Sequence, residues 1–174
     1  MQASSAWNQD QLFSSKSVEW STPQDLFDHL HREFRFGLDV CANSRNAKCP
    51  AFIDKDADTL ATPWADRIDP GTAAWMNPPW GRGIGSFLQR AFEESNRSHC
   101  VCVCLVPAAT DTQWWRTWVW MASEVRLIVG RLHFVRDDGH TGPAPKGAAL
   151  VIFTPWSFGP PRVFLADKIG RTVA

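Results

Sequence analysis

The chain has 174 residues with 18 basic and 18 acidic side chains, so its formal net charge is zero. This balance excludes a protein that binds nucleic acid through overall positive charge, and leaves only a local basic patch for that role. The length fits one domain with an ordinary hydrophobic core. The longest apolar run, 101–106, is far too short for a membrane-spanning helix.

Two further features of the composition point to an intracellular protein. Residues 1–17 are polar and lack the apolar core of a signal peptide, so we expect a mobile arm. The five cysteines are odd in number, and three of them alternate in the run CVCVC at 100–104. This pattern favours reduced thiols packed in the core of a cytoplasmic protein over disulfides or a metal site.

Three helices are predicted from caps and apolar spacing. The first begins at Thr22-Pro23, where a hydroxyl cap precedes proline at the first helical position, and its apolar stripe continues to Phe34. The second follows the helical spacing of apolar residues from Ile84 to Phe92. The third is expected to be capped by Asp111 and carries a cluster of tryptophans.

Strands are predicted between and after these helices, at 36–41, 51–53, 73–76, 101–106, 125–129, 132–135 and 149–153. Strands that alternate with helices are typical of an α/β fold with a mainly parallel sheet and helices on both faces. The last two strands flank a loop rich in glycine and proline, so we expect an antiparallel hairpin at the sheet edge.

One connection fits this arrangement badly. Only ANSRNAKCP separates the first two strands, whereas a parallel crossover needs about a dozen residues, usually helical. Either the crossover is unusually tight, or one of the two strands is misplaced.

Three residues fall at or just after predicted strand ends, namely Asp39, Asn77 and Pro107. Ligands of such sheets bind beyond the carboxyl ends of the strands. We therefore expect these residues to share one rim of the sheet.

The stretch Asn77-Pro78-Pro79-Trp80 has the chemistry of a clamp for a planar amine. An amine attached to an aromatic ring is a poor nucleophile, so a site that methylates it must accept its N–H bonds and orient its lone pair. The Asn77 amide oxygen is one acceptor, and the Pro78 carbonyl is a second one held rigid by the following proline. Trp80 offers a face for stacking. The alternative is a Pro-Pro turn with an Asx cap at a strand end.

Six stretches occur in an order that resembles one known family: SVEWSTPQDLFDHL, GLDVCANSRNAKCPAFI, DADTLATPW, AWMNPPWGRGI, CLVPAATDTQWW and GRLHF. Together they resemble the phage-type N6-adenine DNA methyltransferase family (Dam-like), from about Val18 to Phe153. The resemblance implies a Rossmann-like S-adenosylmethionine-dependent methyltransferase fold, in a single domain over 18–174. It also implies methyl transfer to adenine N6 in DNA, in the cytoplasm of a bacterial host, by an enzyme of phage or prophage origin.

The resemblance assigns roles position by position. Asn77, Pro78, Pro79 and Trp80 match the catalytic motif. The residues that resemble cofactor contacts are Trp20, Thr22 and Pro23 at the methionine end, Asp39 at the end of the first strand, Asp58 near the adenine, and either Asp54 or Asp56 at the ribose hydroxyls. The chain departs from the general methyltransferase pattern because 40–48, VCANSRNAK, has no glycine where a glycine-rich turn usually approaches the cofactor. Without the resemblance, Asp39 and Asp58 read as turn caps, and Thr22-Pro23 as a helix start.

Contact with DNA is expected from basic side chains in loops near the rim. An adenine in duplex must be flipped out to reach the clamp, and phosphate contacts usually offset that cost. The candidates are Arg82, Arg131 and Lys146, together with Arg136 and His140, and 136–147 is the candidate target-recognition loop. The alternative for this loop is a solvated hairpin.

Other functions remain open from the residues alone. The clamp does not separate adenine in DNA from adenine in RNA, cytosine N4 or a protein glutamine, because each presents a nitrogen on a planar group. A cofactor-binding scaffold without activity is a further alternative.

Overall fold

The computed structural model describes residues 20–136, 141–157 and 159–173. The predicted arm at 1–17 lies outside the described residues, as do 137–140 of the predicted recognition loop. The helices are α1 (Gln24–Phe34), α2 (Ile84–Arg97) and α3 (Gln113–Trp118), the last followed by a 3-10 turn (Val119–Met121). The strands are β1 (Trp20–Ser21), β2 (Phe36–Asp39), β3 (Ala51–Phe52), β4 (Ala73–Met76), β5 (Cys102–Pro107), β6 (Glu124–Ile128), β7 (His133–Arg136), β8 (Thr141–Pro143), β9 (Ala148–Phe153), β10 (Arg162–Ala166) and β11 (Thr172–Val173).

Eight strands form the main sheet in the order β11-β10-β6-β9-β5-β4-β2-β3. The run β3-β2-β4-β5 is parallel, and so is the pair β6-β10. A second, antiparallel sheet has the order β1-β7-β8, and we call it the small sheet. The predicted α/β class with a mainly parallel sheet is confirmed.

The predicted edge hairpin is wrong in its pairing. The strands β7 and β9 do not pair with each other, because β7 lies in the small sheet and β9 runs antiparallel between β5 and β6. The physical reason is burial: all six residues of β9, AALVIF, are buried, and an apolar strand of this kind is stable inside a sheet covered on both faces. An antiparallel edge does exist, and it is formed by β10 and β11.

Two hydrophobic cores cover the two faces of the main sheet. On one face, α1 packs Leu26, Phe27 and Leu30 against a cluster that contains Trp75 of β4. On the other face, α2 packs its apolar residues against a cluster that contains Met76. Neighbouring residues of β4 therefore enter opposite cores, as the alternation of side chains along a strand requires. Helices on both faces are confirmed.

The two predicted helix caps are each displaced by one residue. Pro23 rather than Thr22 stands at the N-cap of α1, with an extended backbone, and the helix begins at Gln24. Thr112 rather than Asp111 caps α3, where its hydroxyl accepts the Trp115 backbone N–H at 3.4 Å. In both places the helix begins one residue later than the residue types alone indicate.

The tight crossover is the alternative that the structure supports. The strands β2 and β3 are parallel neighbours, and the connection between them contains turns and no helix. Two asparagine side chains form the turn: Asn43 Oδ1 accepts the Arg45 N–H at 2.8 Å, and Asn46 Oδ1 accepts the Asn43 N–H at 2.7 Å. The strand β3 pairs only with Leu38 and Asp39 at the end of β2. The connection therefore has to return along β2 by only two residues, and a short one is sufficient.

A bulge in β2 sets the register of its carboxyl end. The pairing with β4 shifts between Phe36 and Leu38, and after the shift Asp39 pairs with Trp75. Gly37 lies at the shift, where a Cβ atom would stand 2.3 Å from Thr72 Oγ1. Glycine is therefore required at this position by the close approach of Thr72.

We expect Gly37→Ala to lower the free energy of unfolding by about 1–3 kcal/mol, because the new methyl group overpacks against Thr72. Urea unfolding measures the change. The control is Gly81→Ala, since a Cβ atom there meets nothing within 4 Å. Equal stability of the two variants would contradict this account of the bulge.

Candidate active site

The predicted rim is present at the carboxyl end of the parallel strands. Because β2, β4 and β5 are parallel neighbours, their carboxyl ends lie side by side. Asp39 is the last residue of β2, Asn77 follows the last residue of β4, and Pro107 ends β5. The three residues identified from strand ends therefore lie along one edge of the sheet.

The NPPW stretch ends β4 and returns to the neighbouring strand. The pairing of β4 with β5 stops at Met76, opposite Cys104, while β5 continues to Pro107. The two prolines have no N–H to continue the ladder. The Trp80 indole Nε1 instead donates to the Leu105 carbonyl of β5 at 3.3 Å.

The ring of Trp80 is held on a second side by Phe134 of β7. The two rings meet edge to face, with centroids 5.3 Å apart and an interplanar angle of 85°. Trp80 is half-buried and packs against both cores. Asn77 is half-buried beside it, Pro78 is buried and Pro79 is exposed. The aromatic ring at the rim is thus fixed in one orientation.

Phe134 is a residue of the site that the sequence reasoning did not single out. The stretch GRLHF belongs to the resemblance, and within it only Arg131 is predicted to have a role, as a DNA contact. The strand that carries Phe134 also pairs with the N-terminal motif, because Ser21 is opposite Val135 and Trp20 is opposite Arg136. The small sheet therefore brings the Trp20-Ser21 backbone close to the strand that holds Trp80.

Asp39 closes the loop that stands in place of a glycine-rich turn. Its side chain is only 3% exposed. One carboxylate oxygen accepts the Cys41 backbone N–H at 3.3 Å, and the other accepts the Lys48 backbone N–H at 3.0 Å. Burial raises the pKa of Asp39 from its ordinary 3.8 to about 6, although these two hydrogen bonds oppose the rise.

The loop after β3 carries the other predicted acids. Asp54 Oδ1 accepts the Ala57 N–H at 2.9 Å, and Asp58 Oδ1 accepts the Leu60 N–H at 3.0 Å. Asp56 is exposed. Asp58 has a left-handed backbone with φ 54°, a conformation that non-glycine residues rarely adopt. The predicted capping of a turn by Asp58 is therefore present.

A buried hydroxyl lies next to Asp58. Within the part of the chain that the structure describes, Thr59 Oγ1 is buried and has no hydrogen-bond partner. Desolvation raises the pKa of the Cys41 thiol well above its ordinary range, and the charges of Asp39 and Asp58 raise it further. Both acids therefore act on the same thiol, Asp39 from the end of β2 and Asp58 from the loop after β3.

The predicted DNA-binding residues differ in their surroundings. Arg82 and Lys146 are exposed. Arg131 donates from Nη1 to the Ala144 carbonyl at 3.0 Å, which ties the start of β7 to the end of β8. The backbone of Arg136 lies in β7, but its side chain and that of Trp20 are outside the described side chains, and His140 is outside the described residues.

Across 20–136, 141–157 and 159–173, no group of three His, Cys, Asp or Glu residues is placed to hold a metal ion. Cys102 and Cys104 are buried in the core on the α2 face, and the Cys100 and Cys102 sulfurs are 3.8 Å apart.

Over the same described segments, the structure contains no helix of the length and apolarity needed to cross a membrane.

Comparison with known proteins identifies the family of the chain. Residues 9–169 match the family model described as DNA N-6-adenine-methyltransferase (Dam). The chain belongs to this family. It is an adenine-specific DNA methyltransferase, and its mostly parallel sheet with helices on both faces is consistent with a Rossmann-like methyltransferase fold.

A curated relative of this Dam-family chain is the "Putative methyltransferase YfdM" of Escherichia coli (strain K12). The two are 34% identical over 64 residues, which is 36% of this chain and 70% of the relative.

The pKa of Asp39 predicts a dependence of stability on pH. Between about pH 4 and about pH 6 the native state binds the Asp39 proton and the unfolded state does not, so stability falls as pH rises through this window. We expect the carboxyl ¹³C shift of Asp39 to titrate near pH 6. The free energy of unfolding, measured by urea denaturation, should fall less between pH 4 and 6 in Asp39→Asn than in the wild type. A midpoint at or below pH 4 would contradict the burial argument.

Proposed function

We propose that this methyltransferase moves a methyl group from S-adenosylmethionine to the N6 amine of an adenine flipped out of duplex DNA. The observation that carries the proposal is the fixed orientation of the Trp80 ring, between the Leu105 carbonyl and Phe134, three residues after Asn77 in the stretch that ends β4. A planar base that enters the rim meets a rigid aromatic ring and the amide oxygen of a residue three positions earlier in the chain.

In this proposal, the clamp acts on the amine by hydrogen bonding and orientation. The Asn77 amide oxygen and the Pro78 carbonyl accept the two N6–H bonds, which turns the nitrogen lone pair toward the methyl group. Trp80 stacks on the base, a contact worth about 1–3 kcal/mol per base in single-strand binders. No covalent intermediate with the protein is needed, because positioning lowers the barrier of a direct displacement.

The polar residues at the end of β2 and in the loop after β3 are suited to bind a methyl donor that has polar groups at both ends. The buried hydroxyl of Thr59 has no partner within the described segments, as expected of a group that a ligand satisfies. When bound, S-adenosylmethionine supplies a methyl group on a positively charged sulfur. In the proposed site, Trp20, Thr22 and Pro23 hold the methionine end, Asp39 lies at the strand end beside it, Asp58 lies near the adenine, and Asp54 or Asp56 binds the ribose hydroxyls.

The proposed DNA contacts come from the basic side chains on the same edge. Arg82 lies two residues after Trp80 and is exposed. Arg131 uses one of its five N–H donors on Ala144, so its other donors are able to bind a phosphate. Lys146 lies just before β9 and is exposed. Because the net charge of the chain is zero, such a local patch must offset the few kcal/mol that base flipping costs.

We expect Asn77→Ala to reduce turnover at saturating donor by about 100-fold or more, the usual loss when one fixed hydrogen-bonding group is removed from a transition state. Donor affinity, measured by calorimetry, should stay close to wild type. The matched control is Asn96→Ala, since Asn96 bonds to Phe92 and Trp156 on α2 and beyond β9, and its turnover should be retained. Loss of donor binding with unchanged turnover per complex would refute the role of Asn77.

A further inference from the structure

A charged side chain on α2 is completely buried. Glu94 is 0% exposed, and removing a carboxylate from water is costly unless its oxygens are well bonded. One oxygen pairs with Arg90 Nη2 at 2.9 Å and with Arg97 Nη1 at 3.0 Å. The other oxygen accepts the Ser98 hydroxyl at 2.8 Å and the Trp64 backbone N–H at 3.2 Å. One of these bonds therefore leaves the helix and reaches a distant loop.

Arg90 makes a second bond to the same loop. Its Nη2 donates to the Thr62 carbonyl at 2.7 Å, while its buried Nε has no hydrogen-bond partner within the described segments. An unsatisfied buried donor costs free energy. The Arg90 side chain therefore keeps its bond to the Thr62 loop although this position leaves its Nε without a partner in the described segments.

The bonded loop carries Asp58 and Thr59 of the proposed donor site. Thr62 N–H donates to the Asp58 carbonyl at 2.8 Å. The Trp64 indole N–H donates to the Thr59 carbonyl at 3.2 Å. The contacts therefore run without a break from α2, through Thr62 and Trp64, to the two residues at the rim.

The backbone of Asp58 needs such support. A non-glycine residue in the left-handed region, here with φ 54°, keeps that conformation only when its surroundings hold it there. The same helix starts at Ile84, shortly after Trp80. One rigid element thus connects the loop with Asp58 to the NPPW clamp.

We propose that Glu94 and Arg90 are positioning residues for the methyl donor: through Thr62 and Trp64 they hold Asp58 and Thr59 in the conformation that binds it. The inference rests on the proposed function, because it takes the donor to lie against Asp58 and Thr59. Neither Glu94 nor Arg90 touches the donor in this account.

The test uses Glu94→Gln and the milder Arg90→Lys in the full chain. Loss of a hydrogen bond to a charged group should weaken S-adenosylmethionine binding roughly tenfold in calorimetry. Amide hydrogen exchange at 58–64 should be faster than in wild type without any donor present. Turnover at saturating donor and the KM for DNA should change little, since the clamp is intact.

Two controls separate positioning from general stability. Arg97→Ala removes a side chain that is 57% exposed and bonds the same Glu94 oxygen without reaching the loop, so donor affinity should be kept. Glu33→Gln weakens the bond to Arg126 on the other face of the sheet, so it should lower the melting temperature and leave the affinity unchanged.

Wild-type donor affinity and wild-type exchange at 58–64 in both Glu94→Gln and Arg90→Lys would overturn the inference and leave the proposed function standing. Absence of donor binding by the wild-type chain would overturn the proposed function and this inference with it.

Discussion

The hydrogen bond from the Trp80 indole to the Leu105 carbonyl is the interaction on which the rim depends. The prolines end β4 while β5 continues, so the chain must leave the sheet at this point. The indole N–H returns it to β5, and Phe134 fixes the ring from the small sheet. This connection holds the segment between Asn77, which follows β4, and the start of α2 at Ile84.

Two loops at the neighbouring strand ends are held by carboxylates rather than by glycines. Asp39 bonds both ends of the loop after β2, which explains how 40–48 closes without glycine. Asp58 caps the turn after β3 and is itself supported from α2. Because the proposed ligand-binding edge is built from such bonds to backbone N–H groups, its shape is set before any ligand enters, and pre-organisation of this kind lowers the cost of binding.

Much of the fold was predictable, since burial on both faces leaves a clear pattern. The strand at 73–76 was predicted with its observed bounds, and the apolar runs gave β5 and β9 within one residue. The strand β10, next to the edge strand β11, was not predicted, because its apolar residues run consecutively without the alternation of a half-buried strand; four of its five residues are exposed. The wrong hairpin was predicted because β7 and β9, which are close in the sequence, were taken to be neighbours in the sheet.

The site was predictable where its chemistry is local and was not where it depends on distant contacts. Asn77, Trp80, Asp39 and Asp58 were identified from short motifs, and their roles stay predictions. Phe134, Glu94 and Arg90 have no local signal, because each acts across the fold: Phe134 on Trp80, and the other two on the loop after β3.

The most direct test of the central claim is transfer of labelled methyl from S-adenosylmethionine to genomic DNA, RNA and protein, followed by nucleoside and amino-acid analysis. The account predicts label in N6-methyladenine from DNA, abolished by Asn77→Ala. Label found in RNA adenine, cytosine N4 or glutamine, with none in DNA adenine, would contradict it.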